Sequence, residues 1–409
     1  MKILVLAPQP FYQLRGTPIA VRMLVETLAE LGHEVDLLVF HEGEDLEMPG
    51  VSLHRSPAPP WVGNVGPGFS VKKLLCDAAM TMKAARMAWR GRYDMIHAVE
   101  EAVFMAWLAG RLTRTPYVFD MDSSMPEQIA DKYRLPRWLH RLMDRFEAFA
   151  IRGSAGVVAV CRALEDRVRD QAPGTPVVRL EDVSLLDDKA ETEEDLRHSL
   201  RLGGEVILYV GNLESYQGID LLVESFALAA EQRDGFDLVV IGGTADDVAR
   251  YGDRAANLGV AGRTHFIGPR PLEALAAYLR QADILVSPRI HGNNTPMKIY
   301  SYLDSGRPVL ATRLPTHTQA LTDEIAELVD PSAPAMAEGM LKLLGDSGER
   351  DRKAARARER VASEYSIGAF KRKLSAFYLR LGESGDEGPK EGIATGRPPA
   401  APLKKTASP

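Results

Sequence analysis

Cysteine is nearly absent from these 409 residues, which contain only Cys76 and Cys161. Two thiols cannot build a disulfide framework, and no Cys-x-x-Cys pair or His/Cys cluster has zinc-ligand spacing, so no metal site is expected. Long apolar runs are missing as well. The N-terminal run Ile3–Ala7 is short of the roughly 7–15 residues of a signal-peptide core, and nothing along the chain reaches the ~20 of a spanning helix. Nor is there an excess of positive charge: the formal net charge is −6, which gives no general attraction to nucleic acid. These absences point to a reducing, cytoplasmic location, with attachment to the inner membrane face as the one membrane role left open.

What the chain does contain is ordinary for a globular protein, with 45% hydrophobic and 26% charged residues. Its length suggests two or three domains at about 150 residues each. Short apolar runs alternate with helix-like segments. Strands are expected at Ile3–Ala7, Val35–Phe40, Val51–His54, Met95–Val99, Tyr117–Asp120, Val157–Val160 and Val177–Leu180. A second series follows at Val206–Val210, Leu238–Ile241, Thr264–Ile267, Ile284–Val286, Val309–Ala311 and Ala326–Val329. Alternation of this kind predicts an α/β chain in which parallel sheets are covered by helices on both faces, twice over. The acidic stretch Asp187–Asp195 suits a connection between the halves. The expected organisation is therefore a first domain over 1–185, a linker over 186–202, a second domain over 203–364, a helix over 365–381 and a disordered tail over 382–409. Phe370, Leu374, Phe377, Tyr378 and Leu381 form an apolar stripe at helical spacing within that helix.

In open α/β sheets ligands bind beyond the carboxyl ends of the strands, and three loops of that kind stand out. Arg15-Gly16-Thr17-Pro18 precedes the first helix, where free N–H groups attract anions. Gly211-Asn212-Leu213-Glu214-Ser215-Tyr216-Gln217-Gly218 joins a strand to the helix Ile219–Glu231. It is neither a Walker loop nor a GxGxxG fingerprint, which argues against a dinucleotide. For both loops a plain glycine-bounded turn stays open. The third, Ser287 to Lys298, holds Arg289, His291, Gly292, Asn293, Asn294, Thr295 and Lys298, more hydrogen-bonding groups than a turn requires. Asn294 or Thr295 is expected to cap the following helix, with Pro296 in its first turn.

These loops, in this order, resemble those of the family-4 glycosyltransferases. The resemblance covers about residues 1–381. It rests on Gly211-Asn212-Leu213…Gln217-Gly218-Ile219-Asp220-Leu221-Leu222, Phe266-Ile267-Gly268, Gln281-Ala282-Asp283-Ile284-Leu285-Val286-Ser287-Pro288 and Ser305-Gly306-Arg307-Pro308-Val309-Leu310-Ala311-Thr312. In the first half it rests on Arg15-Gly16, Leu31-Gly32-His33-Glu34-Val35 and Tyr93-Asp94-Met95-Ile96-His97-Ala98. It implies the GT-B fold: two Rossmann-like domains facing across a cleft, with the last helix crossing back to the first domain. It also implies transfer of a sugar, with retention, from a nucleotide-diphosphate sugar to an acceptor hydroxyl, without a metal. The donor is a co-substrate, and no other cofactor is implied.

The chain departs from that pattern at several positions. Where the family has an Arg and a Lys in the diphosphate loop, this chain has Asn212 and Gln217. Its two spaced glutamates fall on Asn293 and Ser301, and its histidine falls on Asp122. Arg289 and Lys298 are the cations left to stabilise a diphosphate leaving group, and with Asp122 they are the expected catalytic residues. Expected on the donor are Gly16, Gly211, Asn212, Gln217, Gly218, Gly268, His291, Gly292, Asn293, Asn294, Thr295 and Ser301. His97, Ser123 and Glu127 are expected on the acceptor side, although His97 suits a core-edge histidine equally well. The acceptor would be a glycan, a lipid-linked sugar or a small molecule.

Two basic amphipathic segments raise membrane contact. Residues 71–92 carry Lys72, Lys73, Lys83, Arg86, Arg90 and Arg92 beside the stripe Leu74, Leu75, Ala78 and Met82. Residues 132–152 carry Arg134, Arg137, Trp138, Arg141 and Arg145. An ordinary surface helix with its apolar side in the core is the competing reading. Two alternatives to transfer also stand: a GT-B nucleotide-sugar 2-epimerase, and a disabled sugar-nucleotide-binding scaffold.

Overall fold

Residues 1–386 are described by a computed structural model, apart from 14–15, 61, 64, 67–69, 133–135, 187–191 and 193. Each apolar run becomes a strand within a residue or two of its expected limits. The first half contributes β1 (Lys2–Ala7), β2 (Glu34–Val39), β3 (Val51–Arg55), β4 (Met95–Val99), β5 (Tyr117–Met121), β6 (Gly156–Ala159) and β7 (Val177–Arg179). The second contributes β8 (Glu205–Val210), β9 (Phe236–Ile241), β10 (Thr264–Phe266), β11 (Ile284–Ser287), β12 (Val309–Thr312) and β13 (Glu327–Val329).

The strands form two sheets, ordered β3-β2-β1-β4-β5-β6-β7 and β10-β9-β8-β11-β12-β13. Every pairing is parallel, as in Ile3 beside Met95 and Ile284 beside Ile207. Helices cover both faces, so central strands lose all contact with water: Ile3 to Ala7 and Val206 to Tyr209 are 0% exposed. That burial explains why the strands read as unbroken apolar runs instead of alternating patterns. In each sheet the order reverses between its first and fourth strands, opening a crevice at their carboxyl ends. The loops after β1, β4, β8 and β11 end there.

The last helix, Ile367–Asp386, puts its stripe against the first half. Phe370, Leu374, Phe377, Tyr378 and Leu381 pack in one cluster with Ile3, Val5 and Val158. This helix runs to Asp386, past the expected start of the tail at 382; residues 387–409 lie outside the described residues. Residues 194–202, expected within the linker, pack on the second half. Leu196 and Leu202 join its core, and Glu194 pairs with Arg270 at 2.7 Å. The first helix begins at Gly16, two residues before Pro18.

Candidate active site

At the end of β8 and the start of the helix Lys298–Asp304, two cations converge on aromatic rings. Lys298 Nζ donates to the Tyr209 hydroxyl at 2.8 Å and lies 4.0 Å from the centre of that ring. Tyr209 in turn donates to the Asn212 carbonyl at 2.7 Å. Gly211 makes this approach possible, because a Cβ there would meet Nζ at 2.8 Å. The Arg289 guanidinium stacks 5.1 Å from the Tyr216 ring and is 8% exposed. Burial is the main cause that lowers both pKa values, well below the usual range for Lys298, and the charge of Arg289 adds to the effect on Lys298. No carboxylate contributes to either shift. Two partly desolvated positive charges without a counter-ion among the described residues are costly, and a bound anion would relieve that cost.

Arg289 also shapes its own loop. Nε donates to the His291 carbonyl at 2.7 Å, and the two terminal nitrogens reach the carbonyl and side-chain oxygens of Asn294 at 3.4 and 3.2 Å. Thr316 clamps the Asn294 carbonyl at 2.7 Å, and Thr312 holds the Arg289 carbonyl at 2.5 Å. Below them His317, 0% exposed, donates from Nδ1 to the Thr312 carbonyl at 2.9 Å, which leaves Nε2 to accept from Ser287 at 2.9 Å. Burial pushes its pKa down to about 4, so it stays neutral. The expected cap by Asn294 or Thr295 is not made. The N-cap is Met297, without a side-chain bond, since Asn294 is occupied by Arg289 and Thr295 is buried.

The other expected donor residues divide into two groups. Gly218 takes φ +74° where a Cβ would strike the Pro288 carbonyl at 2.1 Å, so it locks the Tyr216–Gly218 turn onto the Arg289 loop. Gln217 is buried there, and its Oε1 has no partner. Asn212, His291 and Gly292 belong to the same loop pair, whereas Gly268 lies outside it, its carbonyl accepting from Gly242 N at 2.8 Å. Ser301 faces the other half: its hydroxyl accepts from Leu185 N at 3.1 Å and holds the interdomain chain. Gly16 lies in the first half, on a cavity wall. Arg15 lies outside the described residues.

The first half presents the opposite charge. Glu100, Asp120, Asp122 and Asp182 gather beyond β4, β5 and β7. Burial first, then neighbouring carboxylates, raises Glu100 and Asp182 to about 7 and Asp122 well above its usual value. Ser123 donates to Glu100 at 3.2 Å. His97 sits behind this group, fully buried, with Nε2 3.0 Å from Asp120 and Nδ1 2.7 Å from the Tyr378 hydroxyl. It therefore ties the last helix to the carboxyl group, away from any cavity wall.

Two adjoining cavities open beside these carboxyls. One of about 680 Å³ is lined by Gln9, Gly16, Lys73, Asp77, Glu100 and Phe104, among others. The other, about 230 Å³, is lined mainly by Phe104, Phe119, Met125, Met143 and Phe146. Glu127 bridges the halves: it accepts from Asn293 Nδ2 at 2.7 Å and from Arg167 at 3.2 Å. Gln319 adds a second bridge, donating to the Asn293 carbonyl at 2.6 Å and accepting from Ala163 N at 2.8 Å. Sequence reasoning missed Tyr209, Tyr216, Thr316, His317 and Gln319. Tyr209 alone carried a signal, as a polar aromatic next to the end of a buried strand.

Comparison with known proteins accounts for both halves. The family described as "Glycosyl transferase 4-like domain" matches residues 15–181, and "Glycosyl transferases group 1" matches 191–360. A D-inositol 3-phosphate glycosyltransferase of Acidothermus cellulolyticus is 26% identical over 82% of this chain and 79% of its own. A phosphatidyl-myo-inositol mannosyltransferase of Mycolicibacterium smegmatis is 24% identical over 88% and 89%. Among solved structures, the Anabaena protein HepE in complex with UDP superposes with a TM-score of 0.74 at 16% identity, over 93% of this chain and all of its own. Sucrose-phosphate synthase of Thermosynechococcus elongatus gives 0.71 at 19% identity, over 94% and 99%. With both halves matched and the two-sheet architecture shared, the chain belongs to the GT-B glycosyltransferases of the family-4 type.

Proposed function

We propose that this glycosyltransferase takes its sugar from a nucleotide-diphosphate sugar held by the second half and delivers it, with retention, to an acceptor hydroxyl held by the first. The observation that carries this reading is the Lys298–Arg289 pair, buried against tyrosines with no carboxylate partner among the described residues. A departing diphosphate supplies the missing negative charge, and fixed cations stabilise it as the sugar bond breaks. HepE was solved with UDP and with UDP-glucose, which supports a donor of this class. Retention fits a front-face reaction in which a donor phosphate oxygen receives the acceptor proton, a step that needs no nucleophile from the protein. Among the described residues no group of three His, Cys, Asp or Glu is arranged to hold a metal, and the proposed reaction uses none. A panel of nucleotide sugars tested by thermal shift, followed by transfer assays with Arg289→Ala and Lys298→Ala, checks the donor. Unchanged binding and turnover in both variants would overturn the assignment. Incubation with donor alone separates transfer from 2-epimerisation, which needs no acceptor.

The same reading extends to a peripheral membrane position on the inner face. The helix Val71–Gly91 packs inward through Cys76, Ala79, Met80, Ala84 and Ala88, while Leu74, Leu75, Met82 and Trp89 stay exposed beside Arg86 and Arg90. The helix Arg137–Gly153 likewise exposes Trp138, Leu142, Phe146 and Phe149 among Arg137, Arg141 and Arg145. Apolar and basic groups sharing one face suit anionic lipid, and no helix among the described residues is long and apolar enough to cross a membrane. The protein is expected to pellet with anionic liposomes, and less so with Arg86 and Arg90 replaced by Glu. A protein that stays in the supernatant would refute the membrane contact.

A further inference from the structure

The curated relatives include an enzyme named for a phosphorylated acceptor, inositol 3-phosphate, so the charge of the first-half cavity bears directly on what this chain accepts. The larger cavity lies wholly in the first half and, at about 680 Å³, is of the size that holds a small ligand. Its described lining contains three carboxyls, Asp77, Glu100 and Glu101, and a single cation, Lys73. Lys73 is already committed to Glu101 in an ion pair. Asp77 and Glu100 share the field of that one lysine, and burial, with Glu101 beside them, still raises both to about 7. The wall also holds Gln9 Nε2 and Asp77 Oδ1, which have no hydrogen-bond partner among the described residues. A phosphate brought here would meet like charge in a partly desolvated space, the arrangement by which sites reject wrong ligands.

The adjoining cavity differs in kind. Val103, Phe104, Phe119, Met125, Met143 and Phe146 form most of its wall. Its own carboxylate, Glu147, is satisfied by Arg167 at 2.5 Å and by Ser124 at 2.9 Å. The two spaces share Glu100, Glu101, Phe104 and Met125, so one molecule could occupy both, polar at one end and apolar at the other. Phe146 is also one of the side chains exposed on the basic face.

We infer that the acceptor is an amphiphile whose hydroxyl-bearing head lacks phosphate and offers an ammonium group to Asp77 and Glu100, with its apolar part in the smaller cavity. An amino sugar or amino-cyclitol on an alkyl or lipid group has this chemistry. The ammonium adds positive charge where three carboxyls of the described lining face one lysine, and the apolar part removes Phe104 and Phe146 from water. This inference rests on the proposed role of the first half as the acceptor side.

The test is calorimetric titration of the full chain with three probes: hexyl β-D-glucosaminide, hexyl β-D-glucoside and hexyl β-D-glucoside 6-phosphate. The amino probe is expected to bind at least about tenfold more tightly than the neutral one, and the phosphorylated probe most weakly. Asp77→Asn and Glu100→Gln are each expected to bring the amino-to-neutral ratio close to one while neutral binding changes less than about twofold. Thermal unfolding of both variants confirms that they fold, and either one suffices. Phosphate binding as tight as neutral binding, an amino preference that survives both variants, or no binding by any probe would overturn the inference. Nucleotide-sugar binding measured on the same preparation keeps the outcomes apart. Lost amino preference with intact donor binding rejects only the acceptor class, whereas absent donor binding rejects the proposed function.

Discussion

At the carboxyl ends of β4, β5 and β7 the first half collects Glu100, Asp120, Asp122 and Asp182. At the corresponding edge of the second half, β8 and β11 lead into Tyr209, Asn212, Arg289, Asn294 and Lys298. The two sheets share parallel pairing and the same reversal of strand order, so topology alone cannot explain why one edge is acidic and the other cationic. The difference lies in loops of a few residues, which the sheets hold in place without dictating their chemistry. A single architecture thus supports a cationic edge in one half and a carboxyl-rich edge in the other, with Asn293 and Glu127 meeting between them at 2.7 Å.

The strongest challenge to that contrast is Lys298→Met. If the second edge binds a diphosphate, the variant should lose about 10²–10³ in turnover, comparable to removal of a single transition-state donor. Steady-state kinetics with the best donor of the panel would show it, and a loss below tenfold would remove Lys298 from the site.

Next in size is an opposite response of the two halves to pH. Glu100 has a folded pKa of about 7 against 4.5 unfolded, among Glu101, Lys73, Asp120 and Ser123. The folded state therefore binds the extra proton, and stability is lost as pH rises from 4.5 to about 7, on the order of 3 kcal/mol at most. His317 is lowered to about 4 from 6.5, so its contribution is present above 6.5 and disappears as pH falls towards 4. All four tryptophans, Trp61, Trp89, Trp107 and Trp138, are in the first half, and their fluorescence follows its unfolding. Glu100→Gln should reduce the fluorescence-detected loss between pH 5 and 8 without abolishing it, because Asp77 and Asp182 are also raised to about 7, and should leave the acid-side loss of the second half, followed by circular dichroism, in place. Identical pH profiles for variant and parent would show that Glu100 is not buried as described.

A smaller effect is expected from Arg289→Lys. The charge remains, but the planar fork that grips His291 and Asn294 is gone, and donor affinity should fall about tenfold. Full affinity would mean that charge alone matters at this position. The smallest is Asn293→Ala. One hydrogen bond between the halves is worth about 1 kcal/mol, and small-angle scattering should show a modestly more open average shape with the fold intact.

Much of the architecture was legible because its signals are local. All thirteen strands lie where apolar runs of three to six residues were seen, and the stripe Phe370 to Leu381 announced a helix with one buried side. The gathering of polar groups at the edge of the second half was legible in part, since Arg289, Asn294, Gln217 and Lys298 stood out in loops that needed none. The cap at Asn294 was misjudged because Arg289 competes for the same side chain. The Ser301 hydroxyl holds Leu185 N, a partner 116 residues away that no local pattern announces.

The near-absence of cysteine and of long apolar runs, the two series of strands and the punctuation of the loops were set by the order of residues alone, because hydrophobic periodicity and turn chemistry act within a few positions. Charge partners were not. His97 meets Tyr378 across 281 residues, and the acidic cavity draws Asp77, Glu100 and Glu101 to one wall. The pairing of Lys298 with Tyr209 spans 89 residues. Burial and Coulomb interaction depend on distance in space, and only the folded chain brings these groups within reach of one another.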